Sequence, residues 1–244
     1  MARITGKDAK LYVDEFDFSG VIMHFTIGTQ APAADATAFN DTDAVKLAGK
    51  PRWTIGVNGL WSPTSPAYDA EMFIDLTSED RLVGAWPNGV AENEIGYEGQ
   101  SNISGAPASS RSDQAITLDV NWRGDDQLAR SRMLWRDTTT DATANGTARQ
   151  HGAIGATQTG VGILRVLSRS GTNPTCDVII QSDALEAFGT PANQITFAQA
   201  TAATFERKTV AGAVTDDWWR VAVTIGGTAS PTFDLMVAFG IVTT

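Results

Sequence analysis

The sequence predicts an all-β protein of the sandwich or barrel type, and three observations carry that prediction. Many short segments alternate between apolar and polar residues with a period of two, which is typical of strands with one buried face. The 23 glycines, together with steps that contain Asn, Asp or Pro, mark frequent turns. At 244 residues, 42% of them hydrophobic, the chain is long enough to bury a core without disulfides.

The first half of the chain consists of predicted strands separated by one long polar segment. These strands cover residues 9–18 (with a turn at Asp14-Glu15), 21–27, 52–61, 94–105 and 114–123. One short helix is predicted at residues 66–76, because Ser65 is a candidate N-cap, Pro66 suits the first turn, and Tyr68, Met72, Phe73 and Leu76 recur with helical spacing.

The polar segment at residues 29–51 is long for a loop inside a compact domain. Such loops are usually functional or disordered, but this one contains Phe39, Val45 and Leu47 beside Lys46. These apolar side chains predict an arm that packs against another molecule.

The second half predicts a further β unit beyond a Thr/Ala/Gly-rich stretch at residues 137–160. Turn signals separate five or six strands there: Ser170-Gly171, Gly189-Thr190-Pro191, Gly212, Gly226-Gly227 and Ser230-Pro231. Short, regular spacing is typical of a sandwich. We therefore place two domains at residues 1–150 and 151–244, the second of which could also complete the first.

Charge and composition argue against several classes of function. The 18 basic and 28 acidic residues give a net charge of −10, which disfavours tight binding to a phosphate backbone. The single cysteine, Cys176, and the two histidines, His24 and His151, argue against multi-cysteine and histidine-rich metal sites. No apolar run is long enough for a transmembrane helix, and the sequence starts without a signal-peptide core. We expect assembly in a cytoplasm and no membrane contact.

The candidate chemical motifs do not support an enzyme. No phosphate-binding loop or nucleophile motif is present, and the acidic pairs fall at predicted turns. Trp218 and Trp219 are adjacent on a predicted strand, so one is expected in the core and the other exposed, where it could stack on a sugar or pack on a neighbouring subunit. We predict a non-enzymatic protein without a cofactor or metal.

Three segments of the first half follow one another in a characteristic order. GKDAKLYVDEFDFSG at residues 6–20 precedes VIMHFTIGTQ, and DATAFNDTDAVKLAGKPRWTIGVNGLW at residues 35–61 precedes the helix after Pro66. In this order and spacing, residues 5–90 resemble the major tail tube proteins of long-tailed, siphovirus-like bacteriophages. Glu15 departs from the pattern, because many members of that family have glycine there.

The resemblance implies a structural protein of the virion tail. Such subunits form hexameric rings that stack into a tube through which DNA passes without specific binding, and an arm reaches the adjacent ring. It implies copies of the chain itself, a tape-measure protein, and the tail terminator and distal tail proteins as partners. Residues Phe39, Val45, Lys46 and Leu47 would form the inter-ring arm, and Asp14, Asp17 and Asp119 would line the lumen, where like charge lowers the retention of phosphate.

Two other classes stay open from the sequence. One is a carbohydrate-binding or adhesive β-sandwich, which depends on the second half of the chain and on Trp218 and Trp219. The other is a head-decoration or capsid-cementing protein, which would share the composition.

Overall fold

A computed structural model of the protein describes residues 6–39, 42–49, 52–61, 80–124 and 126–243. Within these residues a 3₁₀ turn at Gly6–Asp8 precedes the following strands: β1 (Lys10–Val13), β2 (Phe16–Asp17), β3 (Ile22–Gln30), β4 (Ala33–Asp35), β5 (Lys46–Ala48), β6 (Arg52–Leu60), β7 (Arg81–Trp86), β8 (Ile95–Gly105), β9 (Ala108–Ser109), β10 (Thr117–Gly124), β11 (Ala129–Thr140), β12 (Ala144–Asn145), β13 (Arg149–Gln150), β14 (Gln158–Asp183), β15 (Ala192–Thr196), β16 (Thr204–Ala211) and β17 (Trp218–Thr243). All strand pairs in this part of the chain are antiparallel. The predicted all-β class is confirmed, and the predicted helix at residues 66–76 lies outside the described residues.

The described chain forms two compact units. The first contains residues 6–19, 82–98 and 129–243, and the second contains the described residues between 20 and 81 together with residues 99–128. The predicted boundary near residue 150 falls inside the first unit. Although the segment around it is rich in Thr, Ala and Gly, it is not a free linker, because β12 and β13 both pair with β17.

Two long strands, β14 and β17, form the backbone of the first unit. Each has 26 residues, and they pair from Gln158 opposite Thr243 to Asp183 opposite Trp218. In the half of this ribbon that contains Gln158 and Thr243, β16 pairs with β14 and β11 pairs with β17. Strand β11 also pairs with β8. In the half that contains Asp183 and Trp218, β15 pairs with β14, and β12 and β13 pair with β17.

The turn signals in the middle of this ribbon do not end strands, which corrects the predicted series of separate short strands. The pairing register shifts around Thr172 instead, and Gly171 and Gly227 adopt left-handed φ values of 96° and 117°. Glycine tolerates this conformation because it has no Cβ. Irregular residues of this kind let a strand bend and pass from one sheet to another.

The ribbon bends until its two halves face each other across the core. A Cβ on Gly162 would lie 2.8 Å from Cδ1 of Ile180, although the two residues belong to the same strand. In a straight strand, the 18 steps between them would span about 60 Å. Likewise, Trp219 stacks on Phe239 at 4.3 Å between ring centroids. A bent ribbon therefore provides both layers of this sandwich.

The second unit is built on the strand order β8–β10–β6–β3, with β9 on β10. Alternate residues of its two central strands are buried: Trp53, Ile55, Val57, Leu118, Val120 and Trp122. The predicted alternation of residues 52–61 is confirmed by this pattern. Side chains on the opposite face of the same strands are exposed or half-buried, and β3 is the last described strand at this end of the sheet.

Candidate functional site

The segment predicted as an arm forms a small hairpin of the second unit. Strands β4 and β5 pair only with each other, and the backbone N–H of Gly49 donates to the carbonyl of Pro32 at 2.6 Å, which brings the two ends of the hairpin together. Phe39 is fully exposed, and Leu47 is 59% exposed. Apolar side chains that extend into water in this way are typical of a surface that a partner covers.

Polar contacts fix the shape of this arm. The Lys46 ammonium lies 2.7 Å from the Asp35 carboxylate, which also accepts a hydrogen bond from the Thr37 hydroxyl at 2.6 Å. These bonds lower the pKa of Asp35 from 3.8 to about 2. Since both partners are exposed, the ion pair adds little stability. Its consequence is geometric, because it holds the hairpin in register beside its exposed apolar residues.

The three predicted lumen residues lie in different environments. Asp14, in a left-handed turn conformation, is buried, which corrects the expectation of a solvated carboxylate: its Oδ1 accepts the backbone N–H of Leu82 at 2.9 Å. Burial takes Asp14 away from any wall that faces solvent. Asp17 is exposed, and it caps the backbone N–H of Ser19 at 2.9 Å. Asp119 lies on the face of β10 opposite to its buried residues and accepts a hydrogen bond from Asn58 at 2.6 Å.

Small polar residues surround Asp119 on this face, which we call the polar face. Strand register places these side chains together: His24, Thr26, Gly28, Gln30, Arg52, Thr54, Gly56, Asn58, Leu60, Thr117, Asp119, Asn121 and Arg123. The face contains one carboxylate and two guanidinium groups, those of Arg52 and Arg123, so its net charge is small. Two arginines offer few of the phosphate contacts on which tight binding depends.

The adjacent tryptophans of β17 differ in burial. Trp219 is completely buried, and its indole N–H donates to the carbonyl of Gly152 at 2.9 Å. Trp218 is half-buried. Trp219 is therefore a core residue and cannot serve as a sugar platform.

A buried ion pair in the first unit was not found from the sequence. Arg165 and Glu98 are both almost inaccessible to solvent, and the guanidinium of Arg165 contacts the Glu98 carboxylate directly. Arg165 also donates from Nε to the carbonyl of Asp14 at 2.8 Å and from Nη2 to that of Leu82 at 3.2 Å. A lone arginine inside the apolar run VGILRVL was the available signal, because a charge in such a run requires a buried partner.

His151 lies beside the stacked aromatic residues of the core. Its ring is 5.2 Å from that of Phe239 in an edge-on arrangement. Burial, together with the positive charges of Arg132 and Arg130, lowers the pKa of His151 from 6.5 to about 4. The folded protein therefore holds this imidazole neutral.

Acidification is expected to destabilise the fold through His151. Because its pKa is lower in the folded than in the unfolded state, its stabilising contribution is present above pH 6.5 and is lost as the pH falls towards 4. We expect a loss of about 3 kcal/mol across this interval. Urea titrations of the wild type and of His151→Asn at pH 7 and pH 4.5 test this. The exposed His24→Asn variant is the matched control, and an equal pH dependence in His151→Asn would contradict the assignment.

No group of three or more His, Cys, Asp or Glu side chains in the described ranges is arranged to hold a metal ion. No helix in the described part of the chain has the length and apolarity needed to cross a bilayer.

The described residues define an all-β, antiparallel protein with an exposed hairpin arm. The solved structures to which the chain is similar include proteins of phage tails and baseplates and of a phage-like particle. A chain in the virion of a native gene transfer agent particle is 12% identical over 52% of this chain and 97% of that one, with a TM-score of 0.41. The SPP1 tail tube is 11% identical over 52% and 78%, with a TM-score of 0.41. The SPP1 Dit protein, described as a hub adsorption apparatus, is 10% identical over 97% and 100%, with a TM-score of 0.37.

No family model matches the chain, and no curated protein matches it. All three of these TM-scores are below 0.5.

Proposed function

We propose that the chain is a structural subunit of a phage tail, which assembles with copies of itself into hexameric rings that stack into a tube for DNA. The exposed hairpin arm is the observation that carries this proposal. It extends Phe39, Val45 and Leu47 into solvent, and burying such side chains in a neighbouring ring removes apolar surface from water. The order of segments in residues 5–90 supports the same assignment.

The polar face of the second unit is our candidate for the inner wall. Apart from Leu60 its side chains are small or polar, and its two cations, Arg52 and Arg123, are too few for strong attachment of a phosphate chain. Asp119 lies within this face, and Asp17 remains a second candidate for the lumen. The net charge of −10 adds a weak, unspecific repulsion that salt limits to about 8 Å.

In this proposal the arm and the polar face, both within residues 1–150, form the ring and its contact with the next ring. Residues 151–244, the predicted C-terminal domain, supply β14 to β17 and complete the first unit together with residues from the N-terminal half. A tape-measure protein would occupy the lumen during assembly, and the tail terminator and distal tail proteins would contact the two ends. The protein then functions in the virion tail as a non-enzymatic component.

Removal of the arm is expected to abolish tube formation without unfolding the subunit. Deleting residues 33–48 joins Pro32 to Gly49, whose backbone atoms already lie within hydrogen-bond distance. The deletion should therefore remove β4 and β5 and leave the other strands of both units intact. Circular dichroism checks folding, and negative-stain microscopy checks assembly.

Point substitutions test whether the apolar side chains of the arm, and not only its backbone, are needed for tube formation. Phe39→Ser with Leu47→Ser should reduce tube formation, whereas Ile116→Ser, a partly exposed residue outside the arm, should not. Wild-type protein that stays monomeric at high concentration, or arm-deleted protein that forms normal tubes, would contradict the proposal.

A further inference from the structure

Basic side chains gather around the stacked aromatic pair of the first unit. Strand pairing places Arg132 opposite Phe239 and Arg149 opposite Trp219. Because these two aromatic rings stack at 4.3 Å and His151 lies 5.2 Å from the ring of Phe239, all three basic residues meet at one place. Residues paired directly across a sheet have their side chains on the same face.

Arg130 extends this group, because it lies two residues before Arg132 on β11 and therefore on the same face. The charges of both arginines lower the pKa of His151, which agrees with their proximity. We call Arg130, Arg132, Arg149 and His151 the basic cluster.

The charge of the basic cluster is only partly compensated within the described chain. Glu92 forms an ion pair with Arg149 at 3.1 Å, and Arg132 donates to the neutral side-chain oxygen of Asn93. No ion pair of Arg130 occurs among the described residues. Three guanidinium groups thus face one carboxylate, in a chain whose net charge is −10.

Several nitrogen atoms of the cluster also lack a hydrogen-bond partner in the described residues. They are Nε of Arg132, Nε of Arg149 and Nδ1 of His151, all of them buried. Buried polar atoms are normally paired. Because these three atoms are inaccessible to solvent, a ligand from outside would contact the cluster through the exposed Arg130 and the half-buried Arg132 and Arg149 side chains.

We propose that the basic cluster binds a carboxylate side chain on the surface of a second copy of the chain. Guanidinium groups bind planar carboxylates through paired, charge-assisted hydrogen bonds. A second copy presents many such groups, since the chain contains 28 Asp and Glu. Charge complementarity would offset, at this contact, the general repulsion between acidic subunits. The inference rests on the proposed self-assembly, and it names one contact within it.

The site itself can be tested on the monomer with citrate as a carboxylate probe. Citrate at about tenfold its dissociation constant should raise the melting temperature of the arm-deleted protein by about 3 °C relative to sodium chloride of equal ionic strength. Arg130→Gln and Arg132→Gln should abolish this rise, and Arg111→Gln, an exposed arginine elsewhere, should retain it. Equal stabilisation of all variants would overturn the proposal, as would a larger rise with inorganic phosphate than with citrate.

Assembly of the full chain provides the second part of the test. Arg130→Gln should raise the concentration needed for half-maximal assembly at least about fivefold at 0.15 M salt, and less at 0.5 M salt because screening weakens the wild-type contact. An unchanged concentration overturns the contact between copies. If the wild type does not assemble at all, the proposed function fails as well, whereas citrate binding to the monomer is still measured independently.

Discussion

Arg165→Ala is expected to lower the free energy of unfolding by about 3–5 kcal/mol, because it leaves the buried Glu98 carboxylate without its cation. The guanidinium of Arg165 contacts Glu98 and also binds the carbonyls of Asp14 and Leu82, so three buried acceptors lose a donor together. Chemical denaturation of the wild type and the variant measures the loss. A change below about 1 kcal/mol would show that the pair is not desolvated in solution.

The pH dependence of this variant provides a second readout. Burial raises the pKa of Glu98, and the charge and hydrogen bond of Arg165 lower it in part. A carboxyl whose pKa is higher in the folded state stabilises the fold at low pH and loses that contribution as the pH rises through the folded pKa. Without Arg165 this pKa rises further, so Arg165→Ala should be less destabilising at pH 5 than at pH 8.

The matched double variant separates the cost of an unpaired charge from the cost of lost packing. Arg165→Met combined with Glu98→Leu removes both charges and keeps apolar volume in their place. We expect it to recover most of the stability that Arg165→Ala loses, since well-packed apolar residues often replace a buried pair without loss. If the double variant is as unstable as Arg165→Ala, the hydrogen bonds to Asp14 and Leu82 dominate instead.

Trp219→Ala is expected to cost about 3–5 kcal/mol, as the removal of a fully buried aromatic side chain generally does. The indole stacks on Phe239 and donates to the carbonyl of Gly152, so the substitution leaves both a cavity and an unpaired acceptor. It also removes a contact between the two halves of the bent ribbon. Thermal and chemical unfolding both measure the effect.

Trp218→Ala is the matched control for this substitution. The two tryptophans are adjacent on β17, but Trp218 is only half-buried, so its loss should cost about 1 kcal/mol or less. Similar costs for the two variants would contradict the placement of Trp219 in the core. A glycan array probed with Trp218→Ala also addresses the alternative of a sugar-binding module, for which Trp218 is the more accessible of the pair.

Local patterns in the sequence were sufficient for several elements of the fold. The turn at Asp14-Glu15 and the strand at residues 52–61 follow from alternation and turn chemistry, and both are confirmed. The strand containing Trp218 and Trp219 obeys the rule that neighbours point to opposite faces, although the rule does not say which one is buried. The exposed arm could also be predicted from the sequence, because a long polar segment with isolated apolar residues cannot bury them by itself.

The pairing of strands that are remote in the sequence could not be predicted from the same patterns. Gly171 and Gly227 have the composition of turns, yet they lie within β14 and β17, because two 26-residue strands pair through them. A glycine permits both a chain reversal and a bend in a ribbon, and the partner strand decides between them. The partnership of Arg165 with Glu98, which are 67 residues apart, depends on that same pairing.

The sequence by itself determined that this chain is an all-β, acidic protein with an exposed arm, because these properties depend on composition and on periodicity over a few residues. The tertiary structure alone decided which charges are buried and which are free. It placed Asp14 in the interior and brought Arg130, Arg132, Arg149 and His151 around one aromatic pair. The physical reason is that desolvation and Coulomb energies depend on distances between segments remote in sequence, and these distances exist only once the ribbon of β14 and β17 has folded back on itself.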